Sequence, residues 1–136
     1  QLVLSSSRHP RRDRIRVVPH TWGAGLGCDE PGDGSSGAAR GQASFVSREC
    51  DGQKFDLLVV SDCIYNPEYQ EALLDSMCHA LRRPPPGDRA APRAVVSFSL
   101  HPNTDPENVW GFFDKASARG LRVHAEETED MGGAMG

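Results

Sequence analysis

Four stretches of the chain alternate or run apolar in a way that predicts strands. Ile15-Arg16-Val17-Val18 is the shortest. Phe55-Asp56-Leu57-Leu58-Val59-Val60 is nearly continuous apolar, the pattern of a strand covered on both faces. Ala94-Val95-Val96-Ser97-Phe98-Ser99-Leu100 is β-branched and aromatic. Leu121-Arg122-Val123-His124-Ala125 alternates, as an edge strand with one wet face does. Between the last three the spacing becomes helical. Asn66 is placed to cap a helix, Pro67 suits its first position, and Glu68 complements the N-terminal dipole. Tyr69, Leu73, Met77 and Ala80 or Leu81 then recur at helical spacing, and Arg82, Arg83 and Pro84 end the run. A second helix uses the same signals: Asp105 caps, Pro106 follows, Val109, Phe112, Phe113 and Ala116 form a stripe, and Gly120 closes it. Both stripes read as core packing. The order β-α-β-α-β across the second half predicts parallel strands, crossover connections and helices covering the sheet.

Composition adds limits. With 136 residues the chain is one domain. Its 14 Gly and 10 Pro cluster. Residues 23–42 are rich in Gly, Ser and Asp, and residues 82–93 in Pro and Arg, so both are expected to be flexible surface loops. The net charge of −4 gives no footprint for nucleic acid, and the basic stretch Arg8 to Arg16 reads as a solvated face. Cys28, Cys50, Cys63 and Cys78 form no C-x-x-C pair, and no two His are spaced i, i+4, so no metal is expected. Nothing suggests a disulfide scaffold, and no apolar run nears the ~18 residues that cross a bilayer. A cytoplasmic protein is the expectation, with the nucleus also open. Gln1 in place of Met hints at a fragment.

In open parallel sheets, ligands bind beyond the carboxyl ends of the strands. That rule selects Ser61-Asp62-Cys63-Ile64-Tyr65-Asn66, Pro19-His20-Thr21-Trp22-Gly23 and His101-Pro102-Asn103. Asp62 stands out, because a carboxylate ending a buried apolar strand needs a cationic or hydrogen-bonding partner. It equally suits a turn or a helix cap. Gly23-Ala24-Gly25-Leu26-Gly27 has the spacing of a nucleotide-binding loop, but no helix is expected through Cys28 to Gly37, and a flexible loop is the preferred reading. No G-x-S-x-G elbow is present, which disfavours a hydrolase.

The run Phe55 to Pro67 resembles the fourth strand and Asp-x-x-Tyr motif of the family-16 lysine methyltransferases. These are also described as nicotinamide N-methyltransferase-like, within the class I, seven-β-strand, S-adenosylmethionine-dependent methyltransferases. Val17 to Gly23 is similar to the Trp-Gly that follows the third strand there. Val95 to Leu100, Asp105 to Gly120 and Leu121 to Ala125 sit where strand five, its helix and strand six belong. The resemblance implies a Rossmann-like α/β sheet, present in part as strands three to six, within a single domain spanning residues 1–136. It implies that Asp62 and Tyr65 orient an acceptor amine, that Trp22 stacks on adenine, and that Ser61 lies with Trp22 on the cofactor side. S-adenosylmethionine is the implied cofactor. The implied partner is a protein substrate, through a lysine or N-terminal amine, and the implied state is a monomer. The family's Gly-rich loop and second-strand acidic residue would precede Gln1, and strand seven would follow Gly136. In the family's strand order only strands four and five would be neighbours here. The chain by itself is then expected to fold poorly and to bind cofactor weakly or not at all. The alternative is a non-catalytic Rossmann-like module for nucleotide binding or interaction, with Gly23 to Gly27 as its phosphate loop. A helix directly after Gly27 would favour it, and a Trp22 ring in the same crevice as Asp62 would favour the enzyme.

Overall fold

The structure is a computed structural model and describes residues 15–27 and 44–124. Its elements are α1 (Phe45–Glu49), β1 (Leu57–Ser61), α2 (Pro67–Ala80), β2 (Arg93–Ser97) and α3 (Pro106–Ala118). The class is mixed α/β. β1 and β2 pair in parallel, with Leu57 opposite Arg93, Val59 opposite Val95 and Ser61 opposite Ser97. α2 is the crossover between them, so the β-α-β unit read from the sequence is present.

Side chains alternate across a strand, and this register puts Leu58, Val60, Ala94 and Val96 on one face. That face meets Leu73, Leu74 and Met77 of α2 and Val109, Phe112 and Ala116 of α3, which form the main core with Ile64. The opposite face carries Leu57, Val59 and Val95, all exposed, Val59 at 72%. Burial of the Phe55–Val60 run on both faces is therefore corrected: among the described residues both long helices lie on one side of the sheet.

Two predicted strands do not form. Ile15–Val18 and Leu121–His124 have no strand pairing, and Ala125 lies outside the described residues. An extended segment becomes a strand only by pairing its backbone, and neither finds a partner ladder among the described residues. The expected sheet of strands three to six is thus reduced to its middle pair.

Both helix starts agree with the sequence signals. Asn66 accepts from the Glu68 N–H and Asp105 from the Glu107 N–H, each at 3.0 Å, with Pro at the next position. The expected stripe of α2 holds at Leu73, Met77, Ala80 and Leu81, all buried, but Tyr69 is 56% exposed, and Gln70 and Leu74 join the buried face. Gln70 is satisfied on every side. Its Nε2 donates to the carbonyls of Ile64 (2.8 Å) and Asn108 (2.7 Å), and its Oε1 accepts from Lys115 Nζ at 2.9 Å. At the far end of α3 the stop is Gly120 at φ 85°, with Gly120 N–H to Ser117 O and Leu121 N–H to Ala116 O completing a Schellman closure. Arg119 there grips Glu71 and Asp75 of α2, and both carboxylates hold its guanidinium protonated.

The sequence pattern gives no sign of α1. Ser44 caps it, accepting from Ser47 N–H at 3.2 Å, and Phe45 and Val46 are buried in a second cluster with Ala80. Residues 82–92 make a loop shaped by Arg82. Its Nε meets Asp56 Oδ1 at 2.6 Å, Nη1 meets Asp88 Oδ2 at 3.0 Å, and Nη2 donates to the Ala90 carbonyl at 3.0 Å. The Ala90 N–H, then Arg82, hold the Asp88 carboxyl below its usual range. Of the expected loop 23–42, residues 28–42 lie outside the described residues.

Candidate functional site

The carboxyl ends of β1 and β2 finish together. Ser97 Oγ donates to Ser61 Oγ at 3.2 Å, and the Asp62 N–H donates to the Ser97 carbonyl at 2.9 Å, one step past the end of the strand ladder. There the chain leaves the sheet abruptly: Asp62 sits at φ 56°, in the left-handed region that side chains with a Cβ seldom enter. Asp is among the residues that tolerate it, and Asp51 does so at φ 55° in the turn after α1. The sharp turn lifts the Asp62 carboxylate onto the rim instead of back along the sheet.

Tyr65 comes round to meet it. Its hydroxyl donates to Asp62 Oδ1, while no hydrogen bond among the described residues reaches Oδ2. Ile64 is fully buried between them and anchors the turn to the core, and Asn66 then starts α2. Cys63 Sγ donates to the Ser61 carbonyl at 2.9 Å. From the other strand, His101 lays its ring against Tyr65, with centroids 5.4 Å apart and planes at 57°. Ser99 Oγ is 3.5 Å from His101 Nε2. The rim therefore gathers a carboxylate with one open oxygen, a phenol, an imidazole and several hydroxyls, all accessible to solvent to some degree.

Two sequence-selected residues, Asp62 and Tyr65, are brought together, and Ser61 lies beside them. Trp22 is placed elsewhere in the contact network. Gly23, at φ 74°, lies so close to α2 that a Cβ on it would be 3.0 Å from Ala72 Cβ. Its N–H donates to Ser76 Oγ at 2.9 Å, and His20 Nε2 pairs with the same hydroxyl at 2.8 Å. The His20 ring stacks on Phe45 at 3.8 Å. The Pro19–Gly25 segment is thus docked on the flank of α2, where Ala72 lies roughly 9 Å along the axis from Asn66 at about 1.5 Å per residue. Trp22 is 37% exposed, and no hydrogen bond or ring contact among the described residues joins it to Asp62 or Tyr65. Burial, then the neighbouring His79, lowers the pKa of His20.

This docking explains Gly23 by close packing on a helix, a role different from cradling a phosphate. Residues 28–43, where the alternative reading would require a helix, lie outside the described residues. In the sequence His101 stands only within a rim segment, with no role attached, and Ser97 and Ser99 do not stand out as site residues at all. Their signal is weak in sequence, because a Ser within a β-branched strand is unremarkable until the register sets it opposite Ser61.

Compared with protein-family models, with curated proteins and with solved structures, the chain matches none.

Oδ2 of the exposed Asp62, beside the Tyr65 hydroxyl on Oδ1, is a charge partner of the kind that a cationic group could meet. For S-adenosylmethionine the described residues supply only Ser61 beside that rim, its hydroxyl in a 3.2 Å bond with Ser97, and Trp22 against α2. They do not gather into a cradle for adenine and amino acid together.

Proposed function

We propose that the chain carries the acceptor side of an S-adenosylmethionine-dependent amine N-methyltransferase, with a protein lysine or N-terminal amine as substrate. The observation that carries this reading is the Asp62–Tyr65 pair at the shared carboxyl rim of two parallel strands, with Asp62 turned into the left-handed region to present its carboxylate. The Asp-x-x-Tyr resemblance supports it. Methyl transfer to an amine is governed by placement, since attack must run in line with the bond that breaks. Asp62 draws in the ammonium by charge. Tyr65, held by the carboxylate, limits the directions the amine can take. The methyl donor would supply the electrophilic carbon, and no role toward it is assigned to the described residues of this chain.

The test joins this chain to the cofactor-binding half that the resemblance implies and supplies radiolabelled S-adenosylmethionine with lysine-bearing acceptor proteins and with small amines; the chain by itself is expected to be inactive. Transfer is expected with an amine acceptor. Asp62→Ala is expected to lower the rate by ~100-fold or more, in the range of a lost acid–base or charge-orienting group. Undiminished transfer by Asp62→Ala would remove the reading. So would the lack of any transfer together with the lack of any amine-induced change at Asp62 and Tyr65 in nuclear magnetic resonance spectra.

A further inference from the structure

An ammonium has no lone pair with which to attack carbon, so an amine methyltransferase must dispose of a proton first. At the rim, Asp62 is occupied otherwise: Tyr65 holds Oδ1, and Oδ2 is the oxygen left to hold the amine's charge. Imidazole is the side chain that most often takes the proton in general acid–base catalysis. The imidazole on this rim is His101, brought in from beyond β2 and set against the same Tyr65 that holds Asp62.

We infer that His101 is the proton acceptor for the substrate amine; the inference rests on the amine-methylation reading above. An ammonium on Asp62 Oδ2 would share the rim with Tyr65, and the His101 ring packs against the Tyr65 ring at 5.4 Å between centroids. The backbone around His101 is fixed by the Thr104 N–H, which donates to the His101 carbonyl at 2.9 Å. Its Nε2 is tethered loosely by Ser99 Oγ at 3.5 Å. With the Nε2 proton directed to Ser99, the lone pair of Nδ1 is left open, and the tautomer is part of the inference. In the step itself, one N–H bond of the ammonium breaks, its electron pair stays on the amine nitrogen, and the proton bonds to Nδ1. The imidazolium formed shares the rim with Asp62, whose negative charge steadies it, and Ser99 and Tyr65 are the remaining polar groups about it. The arrangement divides the work: Asp62 binds the charged amine and His101 uncharges it.

The experiment compares His101→Asn and His101→Gly with Asp62→Asn in the protein that joins this chain to its cofactor-binding half, using N-acetyl-lysine methylamide as the amine probe and circular dichroism to verify folding. His101→Asn is expected to lower the transfer rate by ~10²-fold and to leave probe binding unchanged. Added imidazole is expected to restore part of the rate to His101→Gly, which a purely structural role would not allow. Asp62→Asn is expected to lose probe binding. In the wild type, without methyl donor, the His101 ring nitrogens are expected to shift when the probe is added. A His101→Asn variant with wild-type rate overturns the inference and leaves the amine reading standing. A wild type that neither transfers methyl nor binds the probe overturns both.

Discussion

At φ 56° Asp62 holds a conformation that costs a residue with a Cβ about 1–2 kcal/mol. Packing does not require it, because the side chain is exposed and the Asp62 N–H bond to Ser97 would be available to glycine as well. Asp51 holds the same conformation in the turn after α1, so the strain at Asp62 supports a chemical role only together with its place on the rim beside Tyr65. Asp62→Gly is therefore expected to raise the unfolding free energy by up to ~1 kcal/mol while removing amine binding, as read by urea denaturation and probe titration. A loss of stability instead would mean that the carboxylate's bond with Tyr65 holds the turn together. His20 gives a second expectation at this scale. Burial and then His79 keep its pKa below the ordinary 6.5, so the folded chain takes up that proton at lower pH than the unfolded chain. Its contribution is complete above 6.5 and is lost as pH falls through 6.5 toward the folded value. The urea midpoint should fall over that window, and His20→Asn should flatten the slope attributable to this residue. An unchanged slope would show that the stacked His20–Phe45 pair does not govern the acid response.

The contacts between elements depend on a few polar side chains set into an apolar seam. Gln70 is 1% exposed and joins the end of the rim turn, the first turn of α3 and Lys115. Gln70→Leu keeps much of the volume but strands the Ile64 and Asn108 carbonyls. It should cost about 1–3 kcal/mol in chemical denaturation. A neutral outcome would mean water replaces the amide. None of this was legible in the chain, where Gln70 falls one position from Tyr69 and reads as a polar neighbour of the stripe. The caps were legible because they are local chemistry: Asn66-Pro67 and Asp105-Pro106 set the starts of α2 and α3 with no help from the rest of the fold. The cores of β1 and β2 were legible for a similar reason, being short, dense and β-branched. The exposure of Tyr69 and the burial of Leu74 were not, since both are large and only packing against the sheet and α3 decides between them. α1 is too short for periodicity to reveal. In the site, Asp62 and Tyr65 were legible through the motif, whereas the meeting of His101 with Tyr65 depends on the register of β2 against β1, which no local pattern encodes.

At the scale of the whole molecule the fold is one-sided. α2 and α3 both pack under Val60 and Val96, and Leu57, Val59 and Val95 face outward on the other side of the sheet. Parallel sheets ordinarily bury both faces, whereas here adjacent residues of β1 live in opposite surroundings. Val60 is 7% exposed and Val59 is 72% exposed, although in sequence they are the same residue side by side. This makes a matched comparison possible. Val60→Ala removes methyl groups from the core and should cost roughly 2 kcal/mol. Val59→Ala removes the same atoms from solvent and should change stability by less than about 0.5 kcal/mol. The two unfolding free energies, measured side by side, report which face is covered in solution. Equal and large costs would mean that the Leu57–Val59–Val95 face is buried there and the sheet has no open side. Equal and small costs would mean that α2 and α3 do not pack under β1, and the carboxyl rim that brings Asp62, Tyr65 and His101 together would lose the platform that positions it.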